Sequence, residues 1–215
     1  MQLFYKDLKS YIYNQDVAFD FTGYPIQDPG LDVNGNPIIV NYLGTANVPI
    51  NGKGGKLYGV ELAGTLPLGE LVSALDGFGV TGGASYTKTK IQPTPGAPAQ
   101  DIPGYSKWVA NGTAYFEKWG FNARVSARYR SSFIGELSGF GGNRVRRRAR
   151  AETIVDAQIG YDFQPGSALE GLSLFIQGQN LTNEPFVTDD PRDSRAVIDY
   201  QVYGSRYLAG ASFKF

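Results

Sequence analysis

Arg144, Arg146, Arg147, Arg148 and Arg150 crowd five guanidiniums into seven positions, the densest charge run of the chain. A guanidinium is a permanent cation with a planar fork of donors, so such a run suits carboxylates and phosphates. Capture of an anionic ligand at Arg146, Arg147 and Arg148 is one reading of it; a solvated loop is the plainer one. Downstream, Asp189, Asp190 and Asp193 interleave with Arg192 and Arg195. Their oxygens suit Ca²⁺, but the spacing is not that of a calcium loop, and local Asp/Arg pairing is expected instead. Upstream, Tyr24, Asp28, Asp32 and Asn34 combine an aromatic ring with acceptors, a mixture suited to a sugar or another polar ligand. Turn formation accounts for the Asp and Asn residues equally well. The chain has no His and no Cys. Ser–His and Cys–His nucleophile systems are therefore impossible, and metal ligands reduce to carboxylates. No catalytic, cofactor or metal site is expected.

What must position these residues is legible in a period of two. Phe121, Ala123, Val125, Ala127, Tyr129, Ser131 and Phe133 alternate with Asn122, Arg124, Ser126, Arg128, Arg130 and Ser132. Ala151, Thr153, Val155, Ala157, Ile159, Tyr161 and Phe163 repeat the split against Glu152, Asp156, Gln158 and Asp162. Strands show different faces to different media at this period, and helices do not. The segments are about twice as long as the ~5–6 residues of an ordinary strand, and they open and close with aromatics. A bilayer on the apolar side fits both facts.

Eight such segments are expected, at roughly 2 to 14, 54 to 67, 77 to 91, 104 to 117, 119 to 134, 151 to 164, 171 to 182 and 203 to 215. Short connections (67 to 76, 117 to 120, 164 to 171) alternate with long ones (15 to 53, 92 to 103, 135 to 150, 183 to 202). That asymmetry predicts an all-β, antiparallel, up-and-down transmembrane β-barrel segment with short periplasmic turns and long extracellular loops. The first long loop is expected to carry a hairpin from Pro37 to Leu43, turned by Asn34 and Gly35. Tyr58, Val60, Leu62, Phe78, Val80, Trp108, Leu174, Ile176 and Tyr207 are placed on the lipid side. Glu61, Thr81, Asn111, Arg124, Arg128, Asp156, Gln177 and Arg206 are placed inside, where the carboxylates are expected to meet Arg124, Arg128 and Lys107.

Composition agrees. The 215 residues hold 28 Gly, 14 Tyr and 13 Phe, and 20 Lys plus Arg balance 20 Asp plus Glu. A zero net charge argues against a nucleic-acid partner. No run of apolar residues is long enough for a membrane helix, so spanning must be by a closed sheet. No basic segment followed by a long apolar one opens the chain, which suggests a removed signal or a piece of something longer.

The final Gly204-Ser205-Arg206-Tyr207-Leu208-Ala209-Gly210-Ala211-Ser212-Phe213-Lys214-Phe215 resembles the last strand of TonB-dependent outer-membrane receptors. So do Tyr58-Gly59-Val60-Glu61-Leu62, Ile102-Pro103-Gly104-Tyr105, Ala127-Arg128-Tyr129-Arg130 and the stretch from Leu174 through Asn180-Leu181-Thr182-Asn183 to Phe186. Their order and spacing make residues 1–215 similar to the C-terminal part of such a barrel. The resemblance implies a bacterial outer-membrane location and a barrel of about 22 strands closed by a plug. It implies import of a small-molecule nutrient of the siderophore, cobalamin or carbohydrate class, driven through TonB. Its partners would be the remaining barrel and plug, TonB through the N-terminal part, and outer-membrane lipid and lipopolysaccharide. No plug or TonB box is recognisable in these residues. Gly210, Phe213 and Phe215 look like the signal read by the barrel assembly machinery, with Leu208 standing where that signal usually has a polar residue.

Two other readings stay open on the sequence. Eight is an even number, so the chain could close by itself as an anchor, adhesin or narrow pore, provided the first strand pairs with the last. A soluble β-sandwich also alternates, though its apolar face would be the inner one.

Overall fold

A computed structural model describes residues 1–25, 27–92, 96, 98–138 and 144–214. Twelve strands make up nearly all of its regular structure: β1 (Gln2–Asp20), β2 (Leu43–Pro67), β3 (Phe78–Gln92), β4 (Trp108–Lys118), β5 (Phe121–Arg130), β6 (Phe133–Ser138), β7 (Arg144–Ala149), β8 (Glu152–Asp162), β9 (Leu172–Gln179), β10 (Phe186–Asp190), β11 (Asp193–Gln201) and β12 (Arg206–Phe213). Eight of them pair in the order β1-β2-β3-β4-β5-β8-β9-β12, all antiparallel. β1 and β12 lie at opposite ends of that order, so the sheet is open.

The eight staves match the eight expected segments, and their register sorts the side chains cleanly. Leu66, Val80, Ala114, Val125, Ala157, Gly178 and Tyr207 form one continuous cross-strand row. Phe116, Ala123, Ile159, Ile176 and Ala209 form the next. Val125, Ile159 and Ile176 are about half exposed, at 52%, 47% and 59%. An exposed apolar face of this extent is what lipid, not water, solvates. The opposite face is polar along its middle, although Val109, Phe175 and Leu208 also project from it. Thr65, Thr81, Thr113, Ser126 and Asp156 run across it, with hydroxyls paired at 2.9 Å (Thr65–Thr81) and 2.8 Å (Thr113–Ser126). Among the described residues no helix is long and apolar enough to cross a membrane, which says nothing of strands.

Short connections sit at one end. Lys118 pairs with Phe121 around Trp119 (φ 55°) and Gly120 (φ 80°), the double positive φ of a type I′ hairpin turn. Gly120 is also required sterically, because a Cβ there would lie 2.3 Å from the Asp162 carbonyl oxygen.

Three expectations need correction at the other end. β1 and β2 run on to Asp20 and back to Leu43, so the first loop spans 21–42 and not 15–53. Pro49, Gly52, Gly54 and Gly55 hide the alternation, but the pairing survives through a polar ladder: Asn14 Nδ2 donates to Asn47 Oδ1 at 2.7 Å, and Asn47 Nδ2 to Asp16 Oδ1 at 2.7 Å. The small hairpin of that loop lies at Leu31–Pro37 and not at Pro37–Leu43, since the Asn34-Gly35 turn falls between the bridged residues. Finally, 135–150 and 183–202 are not simple loops. They fold into the hairpins β6–β7 and β10–β11, which join edge to edge through Thr188–Ala149 and Asp189–Arg148 into a second, four-stranded sheet.

The connection between β3 and β4 folds back over the top of the inner face. Ile91 and Gln100 exchange both backbone hydrogen bonds at 2.8 Å, and the Ile102 N–H donates to Thr89 Oγ1. Ile91 and Leu57 are buried beneath it. Arg130 pins the same segment, with Nε to Ser106 Oγ and Nη2 to the Gly104 carbonyl, both at 2.7 Å, and its guanidinium 3.8 Å from the centre of the Phe133 ring.

Candidate functional site

The inner face opens, at the long-loop end, into a cleft of about 480 Å³. Strand parity supplies its floor: Arg128 of β5, Glu152, Ile154 and Asp156 of β8, Gln179 of β9 and Arg206 of β12. Its rim is Asn180, Glu184, Phe186, Tyr203 and Gly204, from the segments that enter and leave the second sheet. The volume is within the ~300–1,000 Å³ of small-ligand sites.

Asn180 sets the geometry of this corner. It sits at φ 50°, a left-handed conformation that Asn tolerates better than bulkier residues. Its N–H donates to Asp156 Oδ1 at 2.9 Å, its Oδ1 accepts the Glu184 N–H at 2.8 Å, and its Nδ2 reaches the Glu184 and Gly204 carbonyls at 3.3 and 3.4 Å. Ser205 Oγ donates to its carbonyl at 2.7 Å. The residue therefore ties the exit of β9 to β8 and to the approach of β12. Asp156 spends its second oxygen on Arg128 Nη2, at 3.0 Å. By contrast, among the described residues the Glu152 carboxylate and the Arg206 guanidinium have no ion-pair or hydrogen-bond partner. One free anion, one free cation and two aromatic rings, Phe186 and Tyr203, thus face a common space. Such a set can hydrogen-bond a hydroxyl-rich or dipolar ligand and pack against its apolar edge.

The arginine run is a strand, not a solvated loop. Arg148 Nε and Arg150 Nε hold the two oxygens of Asp189 at 2.7 and 2.9 Å, and Asp189 is only 1% exposed. Burial pushes that carboxyl up, but the hydrogen bonds from Arg148 and Arg150 outweigh it and hold it below the ordinary carboxylate value. Arg147 pairs with Asp199, and Arg146 donates to Gln100 Oε1. Asp190 and Asp193 pair locally with Arg192 at 3.2 Å and Arg195 at 3.0 Å, as expected, and each carboxyl is held low by that partner. Asp189 departs from that pattern because the edge pairing of β7 with β10 brings distant arginines to it. Among the described residues no three acidic side chains converge as a metal site.

The first-loop residues do local work. Asp28 Oδ1 accepts the Gly30 N–H at 2.9 Å; Asp32 Oδ1 accepts the N–H groups of Asn34 and Asn36, both at 2.8 Å. Those two donors, Asn36 first, hold the Asp32 carboxyl below its ordinary value. Tyr24 stacks edge-on against Phe19 and Phe21 at 5.8 Å, and Asn34 is exposed at the tip. On the inner face, Arg128 finds its expected carboxylate in Asp156, whereas Arg124 meets Gln158 and Lys107 meets Asp101. On β12, Gly210 lies under the Phe175 ring, whose Cζ would be 2.4 Å from an added Cβ, and Phe213 points outward beside Leu172. Phe215 lies outside the described residues.

Glu152, Asn180, Glu184, Phe186 and Tyr203 were not expected at a site. Parity alone marks Glu152 as inward beside Asp156. The others needed the second sheet, which period-two reasoning over the long staves does not reach.

An open antiparallel sheet with a lipid-type outer face, a polar inner face, hairpin excursions at one end and tight turns at the other defines a wall of an outer-membrane-type β-barrel. The family described as TonB dependent receptor-like, beta-barrel, matches residues 2–181, and the chain belongs to it. Among solved structures, the chain is similar to the ferric citrate transporter FecA in its unliganded form, with a TM-score of 0.56 and 18% identity. That likeness covers 75% of this chain and 24% of that one, so the chain spans about a quarter of the transporter's length. No curated protein matches it.

Proposed function

We propose that the chain is the C-terminal portion of the barrel of a TonB-dependent receptor in the bacterial outer membrane, and that its inner cleft lines the route of a small-molecule nutrient. The observation that carries this is the free Arg206 and Glu152 pair facing one lumenal space beside Phe186 and Tyr203. Charged groups held unpaired over a polar inner wall are poised for an external ligand, whereas Arg147, Arg148 and Arg150 of the arginine run are met by Asp189 and Asp199. Of the residues first considered for substrate contact, Arg146, Arg147 and Arg148 therefore shape the roof, and Tyr24, Asp28, Asp32 and Asn34 shape the first loop. The remaining barrel, the plug and TonB complete the transporter, and Gly210, Phe213 and Phe215 address it to the assembly machinery. Independent closure of the eight strands is disfavoured by the separation of β1 from β12.

The test uses the full-length receptor in cells. Arg206→Ala and Glu152→Ala should each raise the half-saturating nutrient concentration for growth about tenfold or more, the loss of one charged hydrogen bond, with unchanged receptor abundance. Unaltered uptake in both variants would remove the cleft from the substrate path.

A further inference from the structure

The charges of the inner cleft do not cancel among themselves. Two guanidiniums, Arg128 and Arg206, line it together with three carboxylates, Glu152, Asp156 and Glu184. Arg128 and Asp156 close on each other at 3.0 Å, and Glu184 Oε1 accepts the Thr153 N–H at 3.3 Å. Glu152 and Arg206 are left over, one anion and one cation. A polyanionic ligand would be repelled by the surplus carboxylate. A neutral ligand would cover both groups without answering either charge, which costs their desolvation. A ligand that brings one cation and one anion of its own answers both.

Register sets how far apart those two charges must stand. Arg206 pairs with Gln179 of β9, one residue above the row that joins Tyr207, Gly178 and Ala157. Glu152 begins β8, five residues above Ala157, and β8 is separated from β12 by β9 alone. From the rise and spacing of strands, the two Cα atoms are therefore about 16 Å apart. Both side chains line the one cleft and shorten that span by their own length. In a single amino acid the ammonium and the carboxylate sit on one carbon, too close together to meet both. A peptide of two or three residues, at ~3.3–3.6 Å per residue, spreads its free ends over roughly 7–11 Å.

What lies between the two charges fits the same ligand. The Gln179 side chain makes no hydrogen bond among the described residues and lines the cleft on β9. A carboxamide offers both a donor and an acceptor, the complement of a peptide group. Ile154 and Phe186 bring no hydrogen-bonding side-chain group to the cleft. Sugar hydroxyls turned toward them would go unsatisfied, whereas an apolar side chain is buried there to advantage.

We propose that the cleft takes a short zwitterionic peptide of two or three residues. Arg206 receives its carboxylate, Glu152 its ammonium and Gln179 a peptide group, and an apolar side chain packs against Ile154, Phe186 and Tyr203. The assignment rests on the reading of the cleft as part of the nutrient's route and adds the class of nutrient to it.

The full-length receptor, purified in detergent, is titrated calorimetrically with trileucine, with its N-acetylated and its C-amidated forms, and with free leucine. Trileucine should bind, and each capped form and leucine should bind at least about tenfold more weakly, the loss of one charged hydrogen bond. Glu152→Gln should weaken trileucine by a similar factor and leave the N-acetylated form unchanged; Arg206→Gln should do the same for trileucine and the C-amidated form, as the coupling of each end to its own residue requires. No binding of trileucine, equal binding of free and capped forms, or leucine binding as tightly as trileucine overturns the proposal. End-group dependence that persists in both variants places the peptide elsewhere and also overturns it. Should one variant lose its heat-modifiable mobility, the other with its matching capped peptide decides in the same way. If Arg206→Ala and Glu152→Ala impair growth on the receptor's nutrient while trileucine fails to bind, the peptide assignment falls and the cleft remains on the substrate path.

Discussion

The backbone N–H of Asn180 is bonded to one oxygen of Asp156, at 2.9 Å, while Arg128 holds the other at 3.0 Å. One inward carboxylate thereby couples β5, β8 and the point where the chain leaves β9 for the second sheet. Without it, the rim of the cleft, Glu184 and Gly204, would lose the residue that both are hydrogen-bonded to.

That coupling predicts an order among substitutions at Asn180. Gly keeps the left-handed backbone and loses the side-chain bonds, at about 1–2 kcal/mol. Ala loses the same bonds and adds about 1 kcal/mol of backbone strain. Urea midpoints of refolded full-length receptor should therefore fall in the order wild type, Asn180→Gly, Asn180→Ala. A reversed order for Gly and Ala would mean that φ at this position is not a constraint.

The two faces of β5 make a sharper pair. Ala127 lies outward opposite Val155 and Gly112, and Ser126 inward opposite Asp156 and Thr113. Ala127→Arg should cost roughly 2–4 kcal/mol if it lies near the bilayer midplane, whereas Ser126→Arg, in a polar lumen beside Asp156, should cost far less. Folding titrations into lipid vesicles measure both. Equal costs would mean that no lipid contacts the Ala127 face.

How much of this was legible in the sequence follows from where the period of two survives. From Phe78 to Phe213 the staves alternate without interruption by Pro, and both their number and their facing could be read directly. Pro49 and the glycines near it break the pattern in β2, so the sequence reads as loop where the two strands are paired. The second sheet was invisible for another reason. Arg144 to Ala149 carries charge on both parities, and its partners come from distant segments: Asp189 for Arg148, Asp199 for Arg147 and Gln100 for Arg146. The arginines are plain in the sequence; the carboxylate partners of Arg147, Arg148 and Arg150 are a tertiary fact. The cleft was half legible, because Arg128, Asp156 and Arg206 follow from parity while Asn180 depends on a left-handed turn.

At the chain's end, Gly210 is needed because the Phe175 ring occupies the space of a side chain. Gly210→Val should therefore disturb the β9–β12 pairing as well as the proposed assembly signal, whereas Phe215→Ala should slow membrane assembly and leave secretion intact. Pulse-chase appearance of the heat-modifiable form distinguishes them. Unchanged kinetics in Phe215→Ala would remove the signal role.

Acid offers a way to loosen the roof while sparing the barrel wall. The Asp189 carboxyl is held below its ordinary value of 3.8. A group whose folded value is depressed contributes stability that is present above the unfolded value, and that contribution is lost as pH falls through the folded one. The joint between β7 and β10 should therefore be intact at neutral pH, begin to weaken below about pH 4, and be lost only at still lower pH. Amide hydrogen exchange should show it: protection of Arg148 to Arg150 and Val187 to Asp189 should fall over that range, while that of the Val125 and Ala157 row persists. Asp189→Asn should reproduce the loosening at neutral pH, at about 2 kcal/mol, less than the ~3–5 of a fully buried pair because the guanidiniums are partly wetted. Protection that is independent of pH and of this substitution would mean that the two hairpins are held together by their backbone pairing alone.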